Sequence, residues 1–142
     1  LVATQLFLMS ALHSRLTTVP PRLVVYNNPS SCDIGFYANN RRHFMELPAS
    51  GMLPHPEKSI LLLSDQIPDH LYVSEPIPLD VLILSQHNNF NIDQLLTLFS
   101  PKEVVLDSSL PWYAANRLKE ECSIREVPLH DVSLQGAYSI YF

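Results

Sequence analysis

Two short stretches, Ser59-Ile-Leu-Leu-Leu-Ser64 and Val81-Leu-Ile-Leu84, constrain the fold more than anything else in the chain. Each is continuously apolar and flanked by polar residues, without the alternation of a strand that keeps one wet face. Strands of this kind are buried on both sides, so the rest of the chain has to cover two faces of one sheet. Asn91 to Ser100 supplies part of that cover. It sets Ile92, Leu95, Leu96 and Phe99 on one side of an amphipathic helix closed by Pro101. Pro111 to Cys122 reads as a second helix, with Pro111 suited to its first position and Lys119 in its later turns. Strands are expected over Glu103 to Leu106, Ile124 to Leu129 and Ala137 to Phe142. The resulting β-α-β-α-β order implies helices packed on a largely parallel sheet.

The earlier part of the chain has a different texture. Pro20-Pro21 stops whatever precedes it. Arg22 to Tyr26 and Cys32 to Ala38 then read as strands separated by the turn cluster Asn27 to Ser31. Asn39-Asn40 supplies a tight turn into Arg41 to Leu47, giving an antiparallel hairpin. Pro48 to Lys58 carries three prolines and a glycine and reads as a loop, as does Asp65 to Pro78 with its own prolines. The fold class is therefore α/β, a mixed sheet with antiparallel hairpin strands at the start and a β-α-β-α-β C-terminal half. A length of 142 residues fits a single domain over 22–142.

Residues 1–21 stand apart. Leu1 to Leu12 is apolar but shorter than the ~20 residues that cross a bilayer, and it lacks a basic leader. It reads either as a linker or packed helix, or as the end of a membrane helix meeting the interface at His13-Ser14-Arg15. Hydrophobic residues make up 46% of the chain and charged ones 16%, which excludes a disordered chain. The net charge of −5, from 9 basic and 14 acidic residues, argues against duplex nucleic-acid binding by this chain alone. Two cysteines, Cys32 and Cys122, form neither a disulfide framework nor a CxxC motif.

Several chemistries are excluded by motif. The three glycines, Gly35, Gly51 and Gly136, are scattered, so no phosphate loop and no nucleotide cofactor is expected. There is no GxSxG elbow, and Ser64, Ser85, Ser108 and Ser109 read as caps and turn formers. No pair among the six histidines has metal-ligand spacing. Position offers more than motif here. Ligands in α/β sheets gather beyond the carboxyl ends of parallel strands, where this chain has Asp65, His87 and Asp107. Two carboxylates and an imidazole suit a divalent ion or an acid–base pair, although polar residues at strand ends are more often plain loop residues. Asp69-His70 reads as solvated surface. Arg41 and Arg42 suit phosphate or a solubilising turn, and Trp112 and Tyr113 suit base stacking or stapling of the helix.

Taken in order, Arg22 to Leu47, Ser59 to Asp65, Asp80 to Asn89, Pro101 to Ser108 and His130 to Ile140 resemble the C-terminal metallo-β-lactamase-like domain of ComEC-type competence proteins. These are polytopic membrane channels that take up transforming DNA. The resemblance covers most of 22–142 and implies a reduced metallo-β-lactamase-like fold. It sets Asp65 on the family's metal-bridging aspartate, and Gln86 and His87 on its paired histidines. The departures are that Pro48 to Lys58 leaves no room for the His-x-His-x-Asp-His metal loop, Ser64 replaces glycine, Gln86 replaces histidine, and Asn88-Asn89 replace Gly-Ser. At most Asp65 and His87 survive as vestigial metal ligands, so no catalytic residue, metal or cofactor is expected.

The reading that follows is a non-catalytic accessory domain, a soluble and extracytoplasmic part of an integral membrane protein. Its partners would be the membrane-embedded remainder of the same protein and single-stranded DNA, met through Arg41, Arg42, Trp112 and Tyr113 if folding gathers them. Two alternatives stay open: a hydrolase rebuilt on Asp65, His87 and Asp107, and an unrelated α/β module for a small ligand or a protein.

Overall fold

A computed structural model describes residues 5, 20–43, 50–55, 57–86 and 89–141. In chain order the elements are β1 (Arg22–Val25), β2 (Ile34–Ala38), β3 (Arg41–His43), β4 (Gly51–Leu53), β5 (Ile60–Leu63), β6 (Ile77–Leu84), α1 (Ile92–Leu98), β7 (Phe99–Leu106), α2 (Trp112–Ile124), β8 (Leu129–Asp131), α3 (Val132–Gln135) and β9 (Tyr138–Tyr141). The fold is α/β, as the sequence indicates, but its strands divide between two sheets. One is four-stranded and antiparallel, in the order β3-β2-β1-β9; the other is five-stranded, in the order β4-β5-β6-β7-β8. In the second, β5 through β8 run parallel and β4 lies antiparallel at the edge.

The continuous apolar runs are explained by what lies on either side of them. Leu61, Leu63, Leu82, Leu84, Val104 and Leu106 point to one face of the five-stranded sheet, where Ile92 and Leu95 of α1 and Leu118 and Cys122 of α2 meet them. Alternate residues Ile60, Leu62, Val81, Ile83 and Val105 point to the other face. There they pack on Leu23, Val25, Ile34 and Ile140 of the four-stranded sheet. Period-two geometry thus divides each run between two cores. The layers are α1 and α2, the five-stranded sheet, and the four-stranded sheet, with Val132 of α3 in the core between the sheets.

Local chemistry sets the element ends. Asn39 and Asn40 have φ of 52° and 59°, so the β2–β3 hairpin closes on two left-handed residues with Ala38 opposite Arg41. The Asn91 side chain caps α1 by accepting from the backbone N–H groups of Asp93 and Gln94. α2 ends at Ile124 and is closed by Glu126, whose φ is 57° and whose N–H donates to the Ser123 carbonyl, while the Val127 N–H donates to that of Cys122.

Four expectations from sequence need correction. Pro48 to Lys58 is not loop throughout, because Gly51–Leu53 forms β4 and seats Leu53 in the inter-sheet core. Ile124 to Leu129 is not a strand: its first residue ends α2 and only its last opens β8. Pro101 does not close α1, which ends at Leu98; it lies within β7. β8 pairs only with Val104–Leu106, so Pro101 sits in a stretch of β7 that only β6 flanks among the described residues. β6 begins at Ile77, four residues before the apolar run. Residues 44–47 of the expected hairpin and most of 1–19 lie outside the described residues.

Candidate functional site

The carboxyl ends of β5, β6 and β7 converge on a small polar cluster. Beyond β6 comes Ser85, fully buried, and beyond β7 comes Asp107, 2% exposed. The parallel ladder continues through both, with the Ser85 N–H donating to Leu63 and the Asp107 N–H to Leu84. Ser85 Oγ donates to Asp107 Oδ2 at 2.6 Å. Ser109 donates to the other oxygen, Oδ1, through its hydroxyl at 2.6 Å and its backbone N–H at 3.1 Å. The Gln86 N–H donates to Ser109 Oγ at 3.1 Å, which holds Gln86 in a left-handed conformation. Both Asp107 oxygens are thus engaged, as a buried carboxylate requires.

Cys32 reaches this cluster from the turn before β2. Burial foremost, then the charge of Asp107, pushes its thiol up to about 12, so it stays protonated and non-nucleophilic. Cys122 is buried under α2 on the opposite face of the sheet, and both cysteines are free thiols. Burial and the neighbouring Glu121 raise its pKa to about 11.

Asp65 takes no part in the cluster. It is exposed and rims a groove of about 680 Å³ on the helix-side face, bordered by Met52, Leu61, Leu63, Tyr72, Ile77 and Phe99. His87 lies outside the described residues. Among the described residues no group of three or more His, Cys, Asp or Glu side chains is arranged to hold a metal ion. Among the described residues the donor set does not fit a catalytic zinc, which takes about three protein ligands. Both Asp107 oxygens are engaged by serines, Cys32 is held as a thiol, and Asp65 borders the groove.

A second polar lock spans the opposite end of the same strands. Asp80 accepts from the Ser59 N–H at 2.9 Å and meets Lys102 Nζ at 3.0 Å. The Ser59 N–H, then Lys102, lower its carboxyl to about 2.

The basic and aromatic candidates are separated by the fold. Trp112 and Tyr113 open α2 on the helix side, 76% and 53% exposed, and pack edge to face on each other. Arg41 and Arg42 lie on β3 of the other sheet, and strand alternation turns them to opposite faces. Arg42 points outward, pairs with Asp33 at 2.9 Å and stacks on Tyr26. Beside it the register sets out a row that residue-by-residue reading missed: Arg42 opposite Tyr37, Tyr37 opposite Arg22, and Arg22 opposite Tyr141. Only the pairing of β9 with β1, more than a hundred residues apart, brings the row together.

The model of the ComEC C-terminal domain matches residues 23–142. The chain belongs to that family. No curated protein and no solved structure matches it. As a ComEC C-terminal domain it bears on competence, and among the described residues no helix is long and apolar enough to cross a membrane.

Proposed function

We propose that this chain is a non-catalytic accessory domain of a ComEC-like DNA-uptake membrane protein. It keeps the sheets of a metallo-β-lactamase-like parent and uses the former metal end as a structural lock. The observation that supports this reading is that Ser85 and Ser109 engage both oxygens of the buried Asp107 within the fold. The protonated Cys32 thiol and the outlying position of Asp65 support it. The domain works on the extracytoplasmic side, attached to the membrane-embedded remainder of the same protein, and guides single-stranded DNA without a nucleotide cofactor.

Metal content tests the reading. Mass spectrometry of the purified domain, followed by calorimetric titration with zinc and manganese, is expected to find no stoichiometric ion. A bound ion that His87→Ala abolishes, together with metal-dependent cleavage of single-stranded DNA that Asp65→Ala abolishes, would restore the hydrolase.

A further inference from the structure

The outer face of the four-stranded sheet carries an alternating cation–aromatic row, Arg42, Tyr37, Arg22, Tyr141, one residue from each strand. With strands about 4.8 Å apart, the row spans roughly 14 Å, the length of about four stacked nucleotides. Its members differ in how far they are engaged. Arg42 is paired with Asp33. Arg22 stacks on the Tyr37 ring, 5.4 Å from its centroid, and forms no ion pair among the described residues. Its Nε is buried without a hydrogen-bond partner.

Beside that guanidinium, Arg22, Tyr37, Asn40 and Pro20 line a pocket of about 140 Å³, large enough for one phosphate group. Tyr141, 47% exposed at the end of the row, presents an aromatic surface to solvent. The rings close over the strand because position 35 is glycine. A Cβ there would lie 2.9 Å from Tyr26 Cε2 and 3.2 Å from Tyr37 Cε2. A planar cation with no ion pair among the described residues beside a phosphate-sized pocket, flanked by an exposed ring, is the chemistry that recognises a flexible phosphodiester strand with exposed bases.

We propose that this sheet face binds single-stranded nucleic acid, with one phosphodiester in the Arg22 pocket and one base stacked on Tyr141. The proposal rests on the DNA-guiding part of the function above and gives it a place in the fold. A rigid duplex hides its base faces and would meet the acidic remainder of the surface, so the site selects single strands.

Fluorescence anisotropy with a labelled 15-nucleotide oligo-dT tests it. Wild-type protein is expected to bind at low salt, and Arg22→Gln and Tyr141→Ala each to weaken binding roughly tenfold, while Tyr141→Phe keeps it. Arg22→Gln should also lower the slope of log affinity against log salt by about 0.7, the mark of one lost phosphate contact. Tyr141 is exposed on an edge strand, so its variants remain informative if Arg22→Gln fails to fold. Absence of binding, equal binding of a duplex, or affinity unchanged in Arg22→Gln and Tyr141→Ala would overturn the proposal. So would loss of binding in Trp112→Ala instead, or capture by phosphatidylglycerol vesicles with the same dependence on Arg22. None of these results alters the metal measurement, so the non-catalytic reading stands or falls separately.

Discussion

Asp107 and Asp80 are two carboxylates on neighbouring strands that answer the same question, how a charge survives beside a core, in different ways. Asp107 is buried, and Ser85 and Ser109 engage one oxygen each. Ser85→Ala removes a hydrogen bond to a buried charge, so it is expected to lower stability by about 1.5–3 kcal/mol, read from urea denaturation. Asp80 sits at the rim, held by the Ser59 N–H and Lys102, and its folded pKa of about 2 lies below the ordinary 3.8. A depressed carboxylate contributes stability that is full above pH ~4 and is lost as pH falls toward 2. The slope of stability against pH across that window is therefore expected to be shallower in Asp80→Asn; an unchanged slope would show that other carboxylates dominate acid unfolding. The thiols make the opposite case, raised rather than lowered. With Cys32 at about 12 and Cys122 at about 11, both are expected to stay unreactive toward Ellman's reagent at pH 8 until the protein is unfolded.

At the scale of elements, the end of α2 offers the sharpest test of local geometry. Glu126 is an exposed residue in a left-handed conformation, where a Cβ is costly and glycine is not. Glu126→Gly is expected to raise stability by about 0.5–1 kcal/mol, after the entropic cost of glycine is subtracted, and thermal melting reads this as a few degrees in Tm. The same turn shows where the sequence is hard to read. Ile124 to Leu129 is apolar enough to resemble a strand, and only the closure of Glu126 and Val127 onto Ser123 and Cys122 reveals a helix end. By contrast β5, β6 and α1 are legible because burial on two faces and a 3.6-residue period are local signals. β4 is not, since three residues among prolines become a strand only by pairing with β5. The candidate surfaces follow the same divide. Asp107 is visible as a residue beyond a strand, but its partners Ser85 and Ser109 look like turn residues. The row from Arg42 to Tyr141 exists only through the register of four strands.

The whole molecule is organised around β5, β6 and β7, whose side chains enter both cores. Leu62, Ile83 and Val105 face the four-stranded sheet, while their neighbours Leu63, Leu84 and Leu106 face the helices. A residue on the four-stranded sheet is therefore linked to α1 and α2 through one shared layer. The chain itself adds a second link, since β9 returns from beyond α2 to complete the sheet that β1 begins. On these two connections the strands β1 to β9 and the helices between them are expected to unfold as one cooperative unit rather than sheet by sheet. Leu23, fully buried between the sheets, gives the test. Leu23→Ala should cost about 2–5 kcal/mol. The helix signal at 222 nm and the hydrogen-exchange protection of the backbone N–H groups of β1, β2 and β9 are expected to move to the same lower urea midpoint. If the four-stranded sheet were an independent unit, its protection would shift alone and the helices would keep the wild-type midpoint. A single shifted transition would mean that the helix layer and the outer sheet face stand or fall together, so that any ligand held by Arg22 also stabilises the strand-end lock on the other side of the shared core.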